Sequence, residues 1–347
     1  MPATTLQPGY FPQPKFDHPH KLRRLVRPIA IAASVLAALL VVNWLLVGYR
    51  TAPASQTDPD TVLIPTSEGT MQVRISGNPQ GSTLVLVHGL MGSHHWFDRI
   101  SPLLEPTHRL VAIDLLGCGG SAKPGKGTYS IENQAAALGE VLRTLQLTGV
   151  TAVGHSLGGA VVTSLAEQSP DLVERLVIID SPTSSQTADL GLAAKLSRQP
   201  ILGPALKTLV NVAGTNDLEA KGFAPGFDIG SGFEYANQPI RDMQRMTYTA
   251  FNESQKVYRE YTNVIPLHRR LAATGKPLLV IFGELDQIIY RLDEDLALYS
   301  EIPGARVERL PNIGHSPQIE APDQTANILL SFPASRWTGA ANRDGLR

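Results

Sequence analysis

The feature that most constrains this chain is the hexapeptide GHSLGG at residues 154–159, together with its flanks. A short apolar run at residues 150–153 precedes it, and a helix-like run at residues 160–168 follows it. Strand, sharp glycine-flanked turn and helix form the context of a G-x-S-x-G nucleophile elbow, in which a strained serine projects its hydroxyl above a sheet. The N-terminus of the following helix favours negative charge that develops beside that hydroxyl. The pattern therefore predicts that Ser156 is a nucleophile.

Two residues further along the chain can activate Ser156. A serine hydroxyl needs a base to take its proton and an acid to orient that base, and after an elbow of this type the acid precedes the histidine in sequence. The apolar run at residues 277–283 predicts a buried strand with Asp286 just beyond it, and His315 follows a strand-like run. We therefore predict a catalytic set of Ser156, Asp286 and His315. Asp180, which ends another predicted strand, is an alternative acid or a turn cap.

The sequence also predicts two hydrogen-bond donors for a developing oxyanion. An apolar strand at residues 83–87 runs into a His-Gly loop, HGLMG, at residues 88–92. Such a loop can supply one backbone N–H, and the residue after the nucleophile supplies a second. We assign these donors to Leu90 and Leu157.

A further glycine-rich loop, DLLGCGGS, occupies residues 114–121. With the H-G loop, G-H-S-x-G-G and a late G-H, it makes the chain resemble the α/β-hydrolase family over roughly residues 62–332. The resemblance implies a mostly parallel eight-stranded sheet with helices on both faces, and hydrolysis through an acyl-enzyme. It also places Asp286 in the family's G-x-x-D position. Serine at position 156 argues against the family's dehalogenases and epoxide hydrolases, which use aspartate there.

Composition bounds the function. With 347 residues, 43% of them hydrophobic, the chain can bury a large core in one domain plus an insertion. The net charge of -1 does not point to nucleic acid as a partner. Cys118 stands alone, His94 and His95 have no further ligands at metal spacing, and no nucleotide-binding fingerprint is present. We therefore predict no cofactor and no metal.

The N-terminal region differs in character from the rest. Residues 1–28 are rich in proline and basic residues, and residues 29–47 are apolar. As a helix the apolar run spans about 28 Å, close to the hydrocarbon thickness of a bilayer. The positive-inside rule then predicts a transmembrane helix with its N-terminus in the cytoplasm and the hydrolase part outside. A cleaved signal peptide, ending near Ala52 and giving a secreted protein, is the main alternative, although signal cores are usually shorter.

The remaining chain divides around a long insertion. Residues 48–60 are predicted as a linker, 61–182 as the first part of the core, 275–333 as its second part and 334–347 as a tail. Residues 183–274 are too long for an ordinary connection, and the resemblance implies a helical cap over the active site. Apolar side chains there and beside the oxyanion loop are candidates for substrate binding, with packing of cap on core as the alternative: Trp96, Phe223, Phe227 and Met243.

These expectations favour a serine hydrolase acting on a small or hydrophobic carboxylic ester, and the apolar cap and membrane tether suit a lipid-derived ester. The same framework in related enzymes cleaves carbon–carbon bonds, amides or lactones, because cap and pocket set substrate choice. A carbon–carbon hydrolase would need a cationic clamp, for which Arg198, Arg241 and Arg245 are candidates. A non-catalytic, membrane-tethered binding protein is the alternative of another class.

Overall fold

The computed structural model of this chain describes residues 19–188, 195–213 and 220–332. The predicted tail at residues 334–347 lies outside the described residues. The same holds for residues 1–18 of the predicted basic segment and for residues 189–194 and 214–219 of the predicted cap.

The centre of the molecule is an eight-stranded sheet with the order β1-β2-β4-β3-β5-β6-β7-β8. Its strands are β1 Thr61–Ile64, β2 Met71–Gly77, β3 Ser82–Val87, β4 His108–Ile113, β5 Val150–His155, β6 Val173–Ile179, β7 Leu278–Gly283 and β8 Arg306–Leu310. Of these strands only β2 runs against the others, pairing antiparallel with β1 and β4. The prediction of a mostly parallel eight-stranded sheet is confirmed. The sequence also predicts an early edge strand at residues 71–76, and this prediction is wrong, because the short β1 pairs outside that run.

The central strands are apolar on both faces because helices cover both faces of the sheet. In β3, Leu84 and Leu86 belong to one buried cluster and Val85 and Val87 to the other, as the two-residue period of a strand requires. Central strands of this kind read as continuous apolar runs rather than as alternating patterns. That is why β3, β5 and β7 are recognisable in the sequence.

Helices cover both faces of the sheet, and several helices come between β6 and β7 in the sequence. Leu138, Leu165 and Leu271 bring helices to one face, and Leu104 and Leu329 bring helices to the other. The helices are α1 Pro19–Gly48, α2 Ser101–Leu104, α3 Ile131–Thr144, α4 Leu157–Gln168, α5 Leu202–Ala213, α6 Gln238–Arg245, α7 Tyr248–Val264, α8 Leu267–Thr274, α9 Leu292–Ser300, α10 Pro317–Glu320 and α11 Pro322–Leu330.

A buried carboxylate fastens the segment between β6 and β7 to the core. Asp242 of α6 accepts hydrogen bonds from Ser93 Oγ at 2.9 Å and from Trp96 Nε1 at 3.0 Å. Gln238 Nε2 donates to its other oxygen at 2.7 Å. Ser93 and Trp96 belong to the loop after β3, so α6 is tied directly to a loop that follows a central strand.

Helix α1 carries the apolar N-terminal run. An 18-residue stretch of its portion Arg27–Gly48 has a mean hydropathy of 2.5, and none of that stretch is buried inside the protein. The length and composition suit either a membrane-spanning helix or a signal sequence. The C-terminal end of α1 contacts the segment between β6 and β7, since Asn43 Nδ2 donates to Thr208 Oγ1 at 3.0 Å and Thr249 Oγ1 donates to Gly48 O at 2.6 Å.

The segment predicted as a linker is hydrogen-bonded to the core. Ala52 and Lys123 exchange backbone hydrogen bonds of 3.0 and 2.7 Å. Ser55 N donates to Gly120 O at 2.9 Å. Residues 52–55 therefore lie along the glycine-rich loop after β4 and are hydrogen-bonded to it.

Candidate active site

The predicted site residues gather at one edge of the sheet. Ser156 follows β5, Asp286 follows β7, His315 follows β8 and Leu90 follows β3. These strands are parallel, so their carboxyl ends meet at the same edge, where ligands bind in open α/β sheets.

Ser156 occupies a strained turn. Its backbone has φ 51° and ψ −118°, a conformation that residues with a side chain rarely adopt. The turn is held by Ser156 N, which donates to Ile179 O at 2.8 Å. A Cβ on Gly154 would lie 2.4 Å from Gly158 O, so glycine is required where the strand passes the helix. The predicted strand–turn–helix unit is present, with α4 beginning at Leu157.

The His-Gly loop after β3 lies directly against this turn. A Cβ on Gly89 would lie 3.0 Å from Ser156 Cβ, and one on Gly158 would lie 2.3 Å from Val87 O. Leu90 and Ser156 line the same cavity. Leu157 is the first residue of α4, and N–H groups in the first turn of a helix have no partner within the helix.

His315 and Asp286 form a hydrogen-bonded pair. His315 Nδ1 lies 2.6 Å from Asp286 Oδ2, and Asp286 Oδ1 accepts from Ile288 N at 2.7 Å and Ile289 N at 3.0 Å. Burial would raise the pKa of Asp286, but the neighbouring His315 and the two backbone donors hold that pKa below its usual value. Asp286 is therefore an ionised carboxylate, and it fixes the orientation of the imidazole.

Asp180, the alternative acid, has a different environment. Its carboxyl is fully buried, and Oδ1 accepts from Gly283 N at 3.0 Å. Burial and the nearby charge of Asp286 raise the pKa of Asp180 well above its usual value. The protonated form of Asp180 is thus favoured beside an ionised Asp286. The hydrogen bond from His315 Nδ1 goes to Asp286.

Two further residues hold the His315 loop: His155, which the sequence predicts to be structural rather than catalytic, and Glu320, which the sequence did not single out. His155 Nε2 donates to His315 O at 2.7 Å, and burial beside the His315 ring lowers the pKa of His155 to about 3, so that His155 is neutral. Glu320 Oε2 accepts from Gly314 N at 3.0 Å and from Ala224 N at 2.9 Å. A glutamate a few residues after a histidine has no distinctive spacing, so no sequence signal identified this role.

A cavity of about 350 Å³ opens at Ser156 and His315. Trp96 and Met243, two of the candidate binding residues, line it. Phe223 and Phe227 stack on each other with ring centroids 5.3 Å apart and pack with Trp96 in an aromatic cluster, rather than in the cavity wall. Most of the remaining lining is apolar: Leu90, Met91, Leu196, Leu206, Val210, Phe251 and Ile288.

Two lysines lie in this largely apolar wall: Lys221, which is exposed, and Lys207. Lys207 of α5 is buried, and its Nζ donates to Met243 O at 2.7 Å and to Asn211 Oδ1 at 2.5 Å. Burial and the charge of Arg50 lower the pKa of Lys207 to about 8. Of the predicted clamp residues, Arg198 lines an adjoining cavity that also reaches Ser156, and Arg241 stacks on the Tyr235 ring at 4.9 Å.

Comparisons with known proteins agree with this architecture. Residues 82–200 match the family described as alpha/beta hydrolase fold. The chain is 29% identical to Lipase 1 of Psychrobacter immobilis over 262 residues, covering 74% of this chain and 78% of the lipase.

Solved structures extend the likeness to most of the chain. The N-acyl homoserine lactonase AidH, in a complex with N-hexanoyl homoserine, aligns with a TM-score of 0.63 at 22% identity, covering 78% of this chain and 95% of that one. An esterase from Exiguobacterium antarcticum aligns with a TM-score of 0.63 at 20% identity, covering 78% and 98%. The sheet order, the turn at Ser156 and these matches together identify the architecture of this chain as the α/β hydrolase fold.

Proposed function

We propose that this protein is a serine hydrolase that cleaves carboxylic esters through an acyl-enzyme, with Ser156, His315 and Asp286 as its catalytic residues. One observation carries the proposal: the strained Ser156 lines the same largely apolar cavity as His315, whose Nδ1 lies 2.6 Å from Asp286 Oδ2. Nucleophile, base and orienting acid are the groups that acyl transfer requires. A lipase among the relatives supports the ester as substrate.

Each side chain has a defined step. His315 removes the proton from the Ser156 hydroxyl as that oxygen attacks the acyl carbonyl, and Asp286 stabilises the imidazolium that forms. The N–H groups of Leu90 and Leu157 bind the oxyanion, each worth about 3–4 kcal/mol in the transition state. His315 then protonates the leaving alcohol. A water, activated by the same imidazole, releases the acid and restores Ser156.

The cavity wall favours an apolar acyl group. Leu206 and Val210 of α5, with Met243 and Trp96, surround the space next to Ser156. Moving an apolar acyl chain from water to apolar walls is favourable. A charged acyl group would lose its hydration there without gaining a partner. Lys207 and the exposed Lys221 are the cations in this lining, and Lys207 Nζ donates hydrogen bonds to Met243 O and Asn211 Oδ1.

The neighbourhood of α1 suits a substrate taken from a membrane. In the proposed arrangement α1 crosses the bilayer, its basic N-terminal segment stays in the cytoplasm, and the sheet lies outside. Helix α5 contacts α1, lines the cavity with Leu206 and Val210, and leaves Leu202, Leu209 and Val212 exposed. An apolar rim beside a membrane helix would admit hydrophobic esters.

Turnover of p-nitrophenyl esters of increasing acyl length tests the proposal. The full-length chain in detergent is compared with Ser156→Ala and with Asp286→Asn. We expect hydrolysis by the wild type, none above background in Ser156→Ala, and a large loss of kcat in Asp286→Asn because the imidazole loses its orienting charge. The acyl length that gives the highest kcat/KM measures the depth of the cavity.

An N-acyl homoserine lactone belongs in the same panel, because a lactone is an internal ester and opens by the same steps. A preference for the lactone would redirect the substrate assignment while keeping Ser156. A folded wild type that hydrolyses neither class, or a Ser156→Ala variant that hydrolyses as fast as the wild type, would overturn the proposal.

A further inference from the structure

A second cluster of titratable side chains lies away from the Ser156 cavity, where the segment before β1 meets the loop after β3. Asp58 Oδ2 is 3.1 Å from His95 Nε2 and 3.4 Å from His94 Nε2. The ligand atoms of the three residues all lie within 4.8 Å of one another. His94 is 1% exposed, and its Nε2 is buried without a hydrogen-bond partner.

The other nitrogen of each imidazole is held by a carboxylate. His94 Nδ1 lies 2.9 Å from Asp114 Oδ1, and His95 Nδ1 lies 2.7 Å from Asp98 Oδ2. Asp98 is itself fixed by Arg74 at 2.6 Å. When Nδ1 donates to a carboxylate, the lone pair of Nε2 is free to bind a metal, and this carboxylate–histidine arrangement is how zinc-binding histidines are oriented.

Two of the three separations between ligand atoms fit a tetrahedral ion. Zinc binds histidine nitrogen and carboxylate oxygen at about 2.0–2.2 Å, so two ligand atoms of one tetrahedron lie about 3.3–3.5 Å apart. The two Asp58–histidine separations, 3.1 and 3.4 Å, are close to that edge. We propose that Asp58, His94 and His95 form a zinc-binding site, with Asp98 and Asp114 orienting the two imidazoles. The side chain of Asp58 is 18% exposed, so water can reach the fourth position.

The site would join two parts of the chain. Asp58 precedes β1 and lies on the segment that follows α1, whereas His94 and His95 belong to the loop that begins with the His-Gly turn. A bound zinc ion would therefore cross-link that segment to the core. The adjacent histidines alone gave no metal signal in the sequence, because the third ligand comes from a residue far away along the chain.

A protonated His94 between two carboxylates is the alternative to a zinc site. Burial lowers the pKa of His94, but Asp114 and Asp58 outweigh it and raise that pKa to about 9. Without zinc, a protonated His94 would simply bridge the two carboxylates. Zinc would have to displace that proton.

Zinc titration of the full-length chain in detergent, after removal of metals with a chelator, decides between these. We expect one zinc ion per chain by elemental analysis and calorimetry, loss of that ion in Asp58→Asn and His95→Gln, and about 10–100-fold weaker binding in Asp98→Asn, which alters only an orienting carboxylate. Cobalt(II) should give the intense visible absorption of a four-coordinate site in the wild type.

Two controls locate the ion. His268→Gln, on α8, and His315→Gln, in the pair with Asp286, should both keep wild-type zinc affinity. The second control matters because ligand atoms of Asp180, Asp286 and His315 also lie within 4.8 Å of one another. Absence of stoichiometric binding at millimolar zinc, retention of the ion in a folded Asp58→Asn, or its loss in His315→Gln would each overturn the proposal. If Asp58→Asn does not fold, the Asp98→Asn affinity and the cobalt spectrum decide.

Discussion

Ser156 stores strain that a glycine would not. At φ 51° and ψ −118° a Cβ is unfavourable, and conformations of this kind cost about 1–3 kcal/mol for residues other than glycine. We therefore expect Ser156→Gly to be more stable than Ser156→Ala by about 1 kcal/mol, since both lack the hydroxyl and only alanine keeps the Cβ. Melting temperatures of the two full-length variants in detergent provide the measurement. Equal values, or a higher value for alanine, would contradict a strained turn.

Lys207 gives the stability a specific pH dependence. Its pKa falls from 10.5 when unfolded to about 8 when folded, so the unfolded chain binds the extra proton between those pH values. Stability from this group must then rise with pH across that window, because the penalty is complete below about pH 8 and gone above about pH 10.5. We expect the melting temperature of the wild type to increase relative to Lys207→Met between these pH values. A constant difference would contradict the assignment.

At the scale of elements, Asp242 couples α6 to the loop after β3. Asp242→Ala leaves the donors of Ser93, Trp96 and Gln238 without their acceptor in a buried place. We expect a loss of about 2–4 kcal/mol in stability and a raised KM for esters, because Trp96 lines the cavity. Glu234→Ala, an exposed site in the same segment, should change stability by less than about 0.5 kcal/mol. Similar melting temperatures for the two variants would refute the coupling.

The elements that sequence predicts best are those whose signal is local. The sheet is predicted by the continuous apolar runs of β3, β5 and β7, because strand burial restricts the residue type at each position. The elbow is predicted by the glycine-flanked turn at Ser156, because the close approach of the backbone there requires small residues. Strand β1 escaped prediction because four residues, two of them exposed, carry almost no periodic pattern. As a result, β1 and not the run at residues 71–76 forms that edge of the sheet.

Contacts between residues that are distant in sequence produce no local sequence pattern. Glu320, Asp242 and Lys207 bind backbone or side-chain groups that are distant in sequence, so nothing next to them distinguishes them from ordinary polar residues. Phe223 and Trp96 illustrate the same limit for apolar residues. Both are aromatic, buried and part of one aromatic cluster, but only Trp96 also lines the cavity. The arrangement of the neighbouring rings decides this difference.

At the scale of the whole molecule, α1 makes a prediction about location. We expect the full-length chain to sediment with membranes and to resist alkaline extraction. Replacing Leu36 and Leu39, exposed near the middle of the apolar run, with arginine costs about 2.5–3.5 kcal/mol per residue in membrane insertion and should release the protein. Val62→Arg, on an exposed position of β1, is the control and should leave the distribution unchanged. A wild type found entirely in the soluble fraction would contradict a membrane anchor.

The central claim is that Ser156 attacks an acyl carbonyl, and covalent trapping tests it most directly. The full-length protein is treated with a fluorophosphonate, and its intact mass and peptide masses are measured beside those of Ser156→Ala and Asp286→Asn. We predict one adduct per chain, located on Ser156, absent from Ser156→Ala and formed much more slowly in Asp286→Asn. A folded wild type that gains no adduct, or one that carries it on another residue, would contradict the assignment of Ser156 as the nucleophile.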